Sequence, residues 1–326
     1  MRWLPLDHAL RAAQADPARA CRELDRLRAE RLGAHDRERL YPERTRELRR
    51  ACRDPQQIDQ ALRWADGLFL NGGDQSYTRA AWFEPDGKPS AALALLRTRL
   101  AEGSLVLGGT SAGTAVQASG SMIVSGGALP PGPAQATRAL PPRVGCTQAR
   151  ACEGQAEDAL LYHPDGGLAS FALGVLDTHF SERGREWRLA RLLQASGQPA
   201  AFGVDETTAL RLDRSADGWQ ARVIGVGGVT VLRQAAPDRY WRWRWMAGER
   251  FDPAAAAPPL RDAAACADSA RTQTLEADGP AQAQAMDQLR KDGGALRVRL
   301  RDGDREVDAG SWCAVDDRLL WLLPQG

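Results

Sequence analysis

Apolar positions along the chain follow two rhythms. Between residues 7 and 65 the spacing is helical. Leu24, Leu27 and Leu32, then Ile58, Leu62 and Ala65, recur among dense Arg and Glu runs, as in helices that bury one stripe and solvate the other. Asp54-Pro55 reads as an N-cap with proline at the first turn. Residues 2–6 are expected as a short strand. From residue 67 short apolar runs alternate with helical stretches. Gly67-Leu-Phe-Leu70 is a strand, 89–102 a helix carrying Leu93, Leu96 and Leu100, and 104–108 the next strand. Leu173-Gly-Val-Leu176 resumes as a strand, a helix runs to about Gln194, and Ala201-Phe-Gly-Val204 is a further strand. Strand–helix–strand alternation is the pattern of a parallel sheet.

Residues 208–245 change to a period of two, with a turn signal at Asp217-Gly218 and Trp alternating with Arg between Tyr240 and Trp245. This predicts antiparallel hairpins with one buried face. Two segments interrupt the pattern. Residues 126–170 hold Pro130-Pro-Gly-Pro133, Pro141-Pro142 and two cysteines, and a loop this long in a compact domain is usually functional. Pro253-Ala-Ala-Ala-Ala-Pro-Pro259 reads as a linker. Beyond it, to residue 326, the pattern predicts a helix near 280–291 and strands at Leu296–Leu300 and Leu319–Leu323. The expected division is a catalytic domain over 1–251 and a linker with a small C-terminal unit over 252–326.

Composition narrows the function classes. The 326 residues are 43% hydrophobic and 26% charged, with a net charge of +1. Those values suit a globular domain and carry no basic footprint for nucleic acid. No window approaches the roughly 18 apolar residues of a membrane span. Cys21, Cys52, Cys146, Cys152, Cys266 and Cys313 form no C-x-x-C pair and none sits at metal-ligand spacing from His, so zinc is not expected.

The candidate chemistry starts at Ser104-Leu-Val-Leu-Gly-Gly-Thr-Ser-Ala-Gly113. Here a strand runs into Gly-x-Ser-x-Gly, whose small residues permit a sharp turn that raises one hydroxyl at the strand's carboxyl end. Ser111 is the candidate nucleophile, with a simple helix cap as the alternative. His179 follows the next strand and Glu206 the one after, so general base and imidazole orienter fall at strand ends in chain order. The amide of Ala112 and one supplied by Gly72-Gly73 suit an oxyanion. Arg183, Arg185 and Arg188 offer guanidinium forks for a carboxylate, unless they pair internally with Glu182, Glu186 or Asp177. The order Ser, His, Glu disfavours an α/β-hydrolase, where the acid lies between serine and histidine.

Four motifs in order carry a family resemblance: Leu70-Asn-Gly-Gly-Asp-Gln75, Gly108-Gly-Thr-Ser-Ala-Gly113, Asp177-Thr-His-Phe-Ser-Glu-Arg-Gly-Arg185 with Arg188-Leu189, and Gly203-Val-Asp-Glu-Thr-Thr-Ala209. Together they resemble cyanophycinases, in the serine peptidase family that also contains aspartyl dipeptidase (peptidase E). The resemblance covers roughly residues 60–232. It implies an α/β fold of the class-I-glutamine-amidotransferase type, a three-layer sandwich with a mainly parallel sheet. It implies a Ser111–His179–Glu206 triad with Gly73 and Ala112 as oxyanion donors, and Gln75, Asp177, Arg183, Arg185 and Arg188 lining the substrate pocket. The implied reaction is hydrolysis of cyanophycin to β-Asp-Arg dipeptides without metal or cofactor, and short β-aspartyl peptides are the alternative substrates. A non-catalytic homologue that only binds is the reading from another class.

The sequence departs from the family in three places. Thr178 stands where cyanophycinases commonly carry Gln, and the interval from Ser111 to His179 is lengthened by the 126–170 insertion. The family's opening glycine-rich strand and helix do not precede residues 2–6, so a mis-set start or a truncated form is expected. That start and the even cysteine count favour a secreted or periplasmic setting over a cytoplasmic one. The expected partners are the substrate and a second copy of the chain, with no nucleic acid and no membrane.

Overall fold

Arg-rich helices fill the first third of the chain because single leucines at helical spacing give each a narrow apolar stripe to bury. The computed structural model describes residues 3–125, 138–139, 160–216, 218–257, 260, 270–277, 279–316 and 318–323. These residues fall into two compact units, one made of residues 3–116 with 168–170, the other of the remaining described residues.

In the first unit, Asp7 caps the helix His8–Ala13 by accepting the Leu10 amide at 2.8 Å. Arg11 in that helix is buried and donates to the Ala81 carbonyl at 3.1 Å and to Ser90 Oγ at 3.3 Å. Leu10, Leu24, Leu48, Ile58, Leu62, Leu93 and Leu96 form the core between helices. A disulfide joins Cys21 to Cys52, and Cys313 in the other unit is disulfide-bonded as well. Cys146, Cys152 and Cys266 lie outside the described residues. Residues 3–6 take no strand pairing, contrary to expectation, because Pro5 removes a ladder donor and the chain turns into the Asp7 cap. Strands β1 (Gly67–Leu70) and β2 (Val106–Gly109) pair in parallel, joined by the helices Gln75–Trp82 and Ala91–Ala101.

The second unit holds β3 (Met122–Ser125), β4 (Arg138–Ala139), β5 (Leu161–His163), β6 (Val175–Thr178), β7 (Ala201–Val204), β8 (Thr208–Ser215), β9 (Gly218–Gly225), β10 (Gly228–Ala236), β11 (Arg239–Met246), β12 (Arg250–Phe251), β13 (Arg271–Glu276), β14 (Ala295–Asp302), β15 (Arg305–Val315) and β16 (Arg318–Leu322). Eight of them make one sheet in the order β13-β14-β15-β16-β11-β10-β7-β6. Residues 126–137 and 140–159, most of the Pro-rich segment, lie outside the described residues.

The fold is mixed α/β, and the expected mainly parallel sheet is not what forms. Only β6–β7 and β13–β14 run parallel in the large sheet; its other neighbours are antiparallel. The reason is connection length. A helical crossover links each parallel pair, whereas the short turn at Asp238, with φ 57°, folds β10 back on β11. Residues 271–322 extend the same sheet, because β16 pairs with β11 from Arg239↔Leu322 to Arg242↔Leu319. Phe171, Leu176, Phe202, Val204, Val223, Val229 and Val231 pack a core on one side of β6, β7 and β10.

Candidate active site

The first unit carries the elbow. After β2, Ser111 adopts φ 52° and ψ −117°, left-handed backbone on a residue with a side chain, just ahead of the helix Ala112–Ala115. Such backbone costs about 1–3 kcal/mol and persists where neighbours impose it. Here the neighbour is the end of β1. The Thr110 amide donates to the Leu70 carbonyl at 3.1 Å, and a Cβ on Gly113 would sit 2.1 Å from that same oxygen. Thr114 Oγ1 closes the turn by donating to the Gly109 carbonyl at 2.8 Å. A Cβ on Gly72 would lie 3.3 Å from Ser111 Cβ, so the Asn71-Gly-Gly segment passes directly against the serine. Gly73 has φ 132°, which favours glycine whatever the space around it. Asp74 caps the next helix by accepting the Ser76 amide at 2.8 Å, and this places Gln75, buried, at the helix's first turn.

The second unit carries the imidazole and its carboxylate. His179, just past β6, has φ 50°, and Thr207, just past β7, has φ 52°. β6 and β7 are parallel neighbours in register from Val175↔Ala201 to Thr178↔Val204. The residues that leave their carboxyl ends therefore emerge side by side. His179 Nδ1 lies 2.7 Å from Glu206 Oε1. That contact engages the Nδ1 side of the ring. Glu182 Oε1 accepts the Glu206 amide at 3.1 Å, and Arg183 Nη2 stands 3.8 Å from Glu206 Oε1.

Below this pair the charges are buried. Asp177, 1% exposed, accepts Arg188 Nε at 2.7 Å and Nη2 at 2.6 Å, Arg185 Nη1 at 3.4 Å, and the Thr178 amide at 2.8 Å. Burial pushes its carboxyl up, but the Arg188 charge and hydrogen bonds, with Arg185 behind them, hold it below the ordinary aspartate value. Burial likewise lowers the Arg185 guanidinium to about 10, against the pull of Asp177. Arg185 Nη1 also donates to the Thr178 carbonyl at 2.7 Å. Of the three arginines, Arg183 has the half-exposed side chain. Among the described residues no group of three or more His, Cys, Asp or Glu side chains is placed to hold a metal ion.

The chain is similar to cyanophycinases. It is 29% identical over 176 residues to the cyanophycinase of a Nostoc species, covering 54% of this chain and 48% of the relative. It is 30% identical over 183 residues to the cyanophycinase of Synechococcus elongatus, covering 56% and 46%. The chain spans about half the length of the relatives it matches. No protein-family model matches it.

Two positioning residues escape the sequence reading. Asp205 is buried and accepts the Ser181 amide at 3.1 Å, Ser181 Oγ at 2.6 Å, the Gly228 amide at 2.9 Å and Arg244 Nη2 at 2.6 Å. It ties the loop carrying His179 to the strand end carrying Glu206. Its signal is faint in sequence, an aspartate next to the more conspicuous Glu206. Gly203 is the second. A Cβ there would come within 2.3 Å of the Phe180 ring, which is fully buried beside His179.

Proposed function

We propose that this chain is a serine peptidase of the cyanophycinase kind, which hydrolyses cyanophycin to β-Asp-Arg dipeptides. The observation that carries the reading is the 2.7 Å contact between His179 Nδ1 and Glu206 Oε1 at the ends of adjacent parallel strands. The strained Ser111 after β2 and the similarity to cyanophycinases support it.

In the proposed reaction His179 Nε2 takes the Ser111 Oγ proton as that oxygen attacks the backbone carbonyl linking successive aspartates of cyanophycin, which leaves the side-chain bond to arginine intact. The amides of Gly73 and Ala112 receive the oxyanion. The imidazolium, held by Glu206, gives its proton to the leaving amine, and an acyl-enzyme on Ser111 remains. Water, deprotonated by His179, then attacks the ester and releases the product with the proton returned to Ser111. Gln75 and the half-exposed Arg183 are assigned to the substrate's polar groups. Asp177, Arg185 and Arg188 are assigned to the same pocket as a fixed ion cluster.

Thr178, which stands where cyanophycinases commonly carry Gln, favours a second reading in which short β-aspartyl dipeptides are preferred. A substrate panel separates the two. Cyanophycin, isoaspartyl dipeptides and ordinary α-linked dipeptides are compared by kcat/KM. Cyanophycin is expected to lead. A preference for isoaspartyl dipeptides supports the second reading, and turnover of none of them by folded protein overturns both.

A further inference from the structure

The C-terminal segment reaches the loop that carries His179. The Ala277 amide, at the end of β13, donates to the Arg301 carbonyl of β14 at 2.7 Å, which anchors the start of the helix Gly279–Asp292 to the sheet. The first residue of that helix touches the turn that follows His179. Residues Ser181–Arg183 make one 3₁₀ turn, closed by the Gly184 amide on the Ser181 carbonyl at 3.3 Å. A Cβ on Gly279 would fall 1.3 Å from that Ser181 carbonyl oxygen and 2.6 Å from the Gly184 nitrogen. Both obstacles are backbone, so no side-chain rearrangement can relieve the overlap. From the other side, Gly184 has φ 58°, and a Cβ there would lie 2.7 Å from the Ala277 carbonyl oxygen and 2.6 Å from Gln282 Nε2. Gln282 is buried and donates to the Ala277 carbonyl at 3.2 Å. Two glycines therefore let the two backbones interlock, and Gln282 holds the joint.

The turn held there reaches the imidazole through named contacts. Glu182 lies inside it and accepts the Glu206 amide, and Glu206 meets His179 Nδ1. Ser181, whose carbonyl Gly279 covers, is fixed through its amide and hydroxyl by Asp205. The turn is thus held on one face by the sheet and on the other by the C-terminal helix.

We propose that Ala277, Gly279 and Gln282 form a positioning element for the general base. Gly279 and Gln282 hold the Ser181–Gly184 turn and, through Glu182 and Glu206, set the orientation of the His179 ring. The inference rests on the reading of His179 as the base of the reaction proposed above. It assigns the C-terminal residues a part in that reaction, although they lie far along the chain from every motif of the family resemblance. Displacing a reacting group by about 1 Å costs on the order of 10²-fold in rate. Loss of the contact is therefore expected in kcat rather than in KM.

The test is Gly279→Ala in the full chain, with histidine ring signals followed by NMR and His179 assigned by its loss in His179→Gln. The expected result is a folded variant in which the His179 signals move while those of His8, His35 and His163 stay. The kcat on the best substrate of the panel should fall about 10²-fold at unchanged KM. Unchanged His179 signals and unchanged kcat overturn the proposal. If Gly279→Ala does not fold, Gln282→Ala is judged by the same readouts, with a smaller shift expected in the same direction. If the wild-type protein turns over no substrate, the functional reading fails, and the His179 signals alone decide whether the C-terminal segment sets the ring.

Discussion

His179 and Glu206 are joined through Nδ1 and Oε1 at 2.7 Å across the carboxyl ends of two parallel strands. Glu206 is about half exposed, so its contact does little for stability. In the proposed reaction its effect belongs to chemistry, through the ring orientation and tautomer it imposes. Glu206→Gln keeps the shape and removes the charge. It is expected to lower kcat by about 10²–10⁴-fold while the unfolding midpoint stays within experimental scatter. Parallel turnover and thermal-melt measurements check both halves of that statement.

Asp205 has the opposite profile. It is buried, and Arg244 Nη2 lies 2.6 Å from Oδ2. Asp205→Ala leaves the nearly buried Arg244 guanidinium without this partner and takes the acceptor from Ser181 and the Gly228 amide. A loss of about 3–5 kcal/mol is expected, together with a loss of turnover. Urea unfolding of the variant reads the first, and a change below about 1 kcal/mol contradicts the assignment.

A pH dependence follows from His8. It is buried, stacks on Tyr77 at 5.6 Å, and has Arg31 Nη1 at 3.4 Å from Nε2. Burial first, then the Arg31 charge, lower its pKa from 6.5 to about 4, with Asp7 opposing. The folded value lies below the unfolded one, so the unfolded chain takes up the proton first as pH falls. Stability is therefore lost between about pH 6.5 and pH 4, by about 3 kcal/mol, and this group adds nothing further at lower pH. Unfolding curves across that window should show the step, and His8→Gln should flatten it.

The Cys21–Cys52 bridge closes a loop with a sequence separation of 31. Replacing both cysteines by serine is expected to cost roughly 3–4 kcal/mol, mostly by freeing the unfolded chain. Denaturation of the double variant against the wild-type protein, both without reductant, measures it, because reductant would also open the bridge at Cys313.

What was legible in the sequence was local. The apolar runs at Gly67–Leu70 and Ala201–Val204 form strands at the positions predicted, and the helix predicted near 280–291 spans Gly279–Asp292. Ser111, His179 and Glu206 were visible because each follows an apolar run. Pairing was not legible. β13 escaped because five of its six residues are exposed at a sheet edge, which leaves no alternation to read. The join of β16 to β11 depends on residues about 80 positions apart, and no local pattern encodes it. Nor does sequence distinguish a guanidinium that faces solvent from one that is buried. Arg183, Arg185 and Arg188 look alike in the motif, yet Arg185 and Arg188 are folded onto Asp177.

The central claim is that Ser111, served by His179 and Glu206, cleaves cyanophycin to β-Asp-Arg dipeptides. Its most direct test is to incubate purified cyanophycin with the full chain and with Ser111→Ala, and to quantify released β-Asp-Arg by chromatography. Release by the wild-type protein, and none above background from Ser111→Ala at equal concentration and equal folding, is the predicted result. Equal release by both proteins, or none from a folded wild-type chain, would contradict the account.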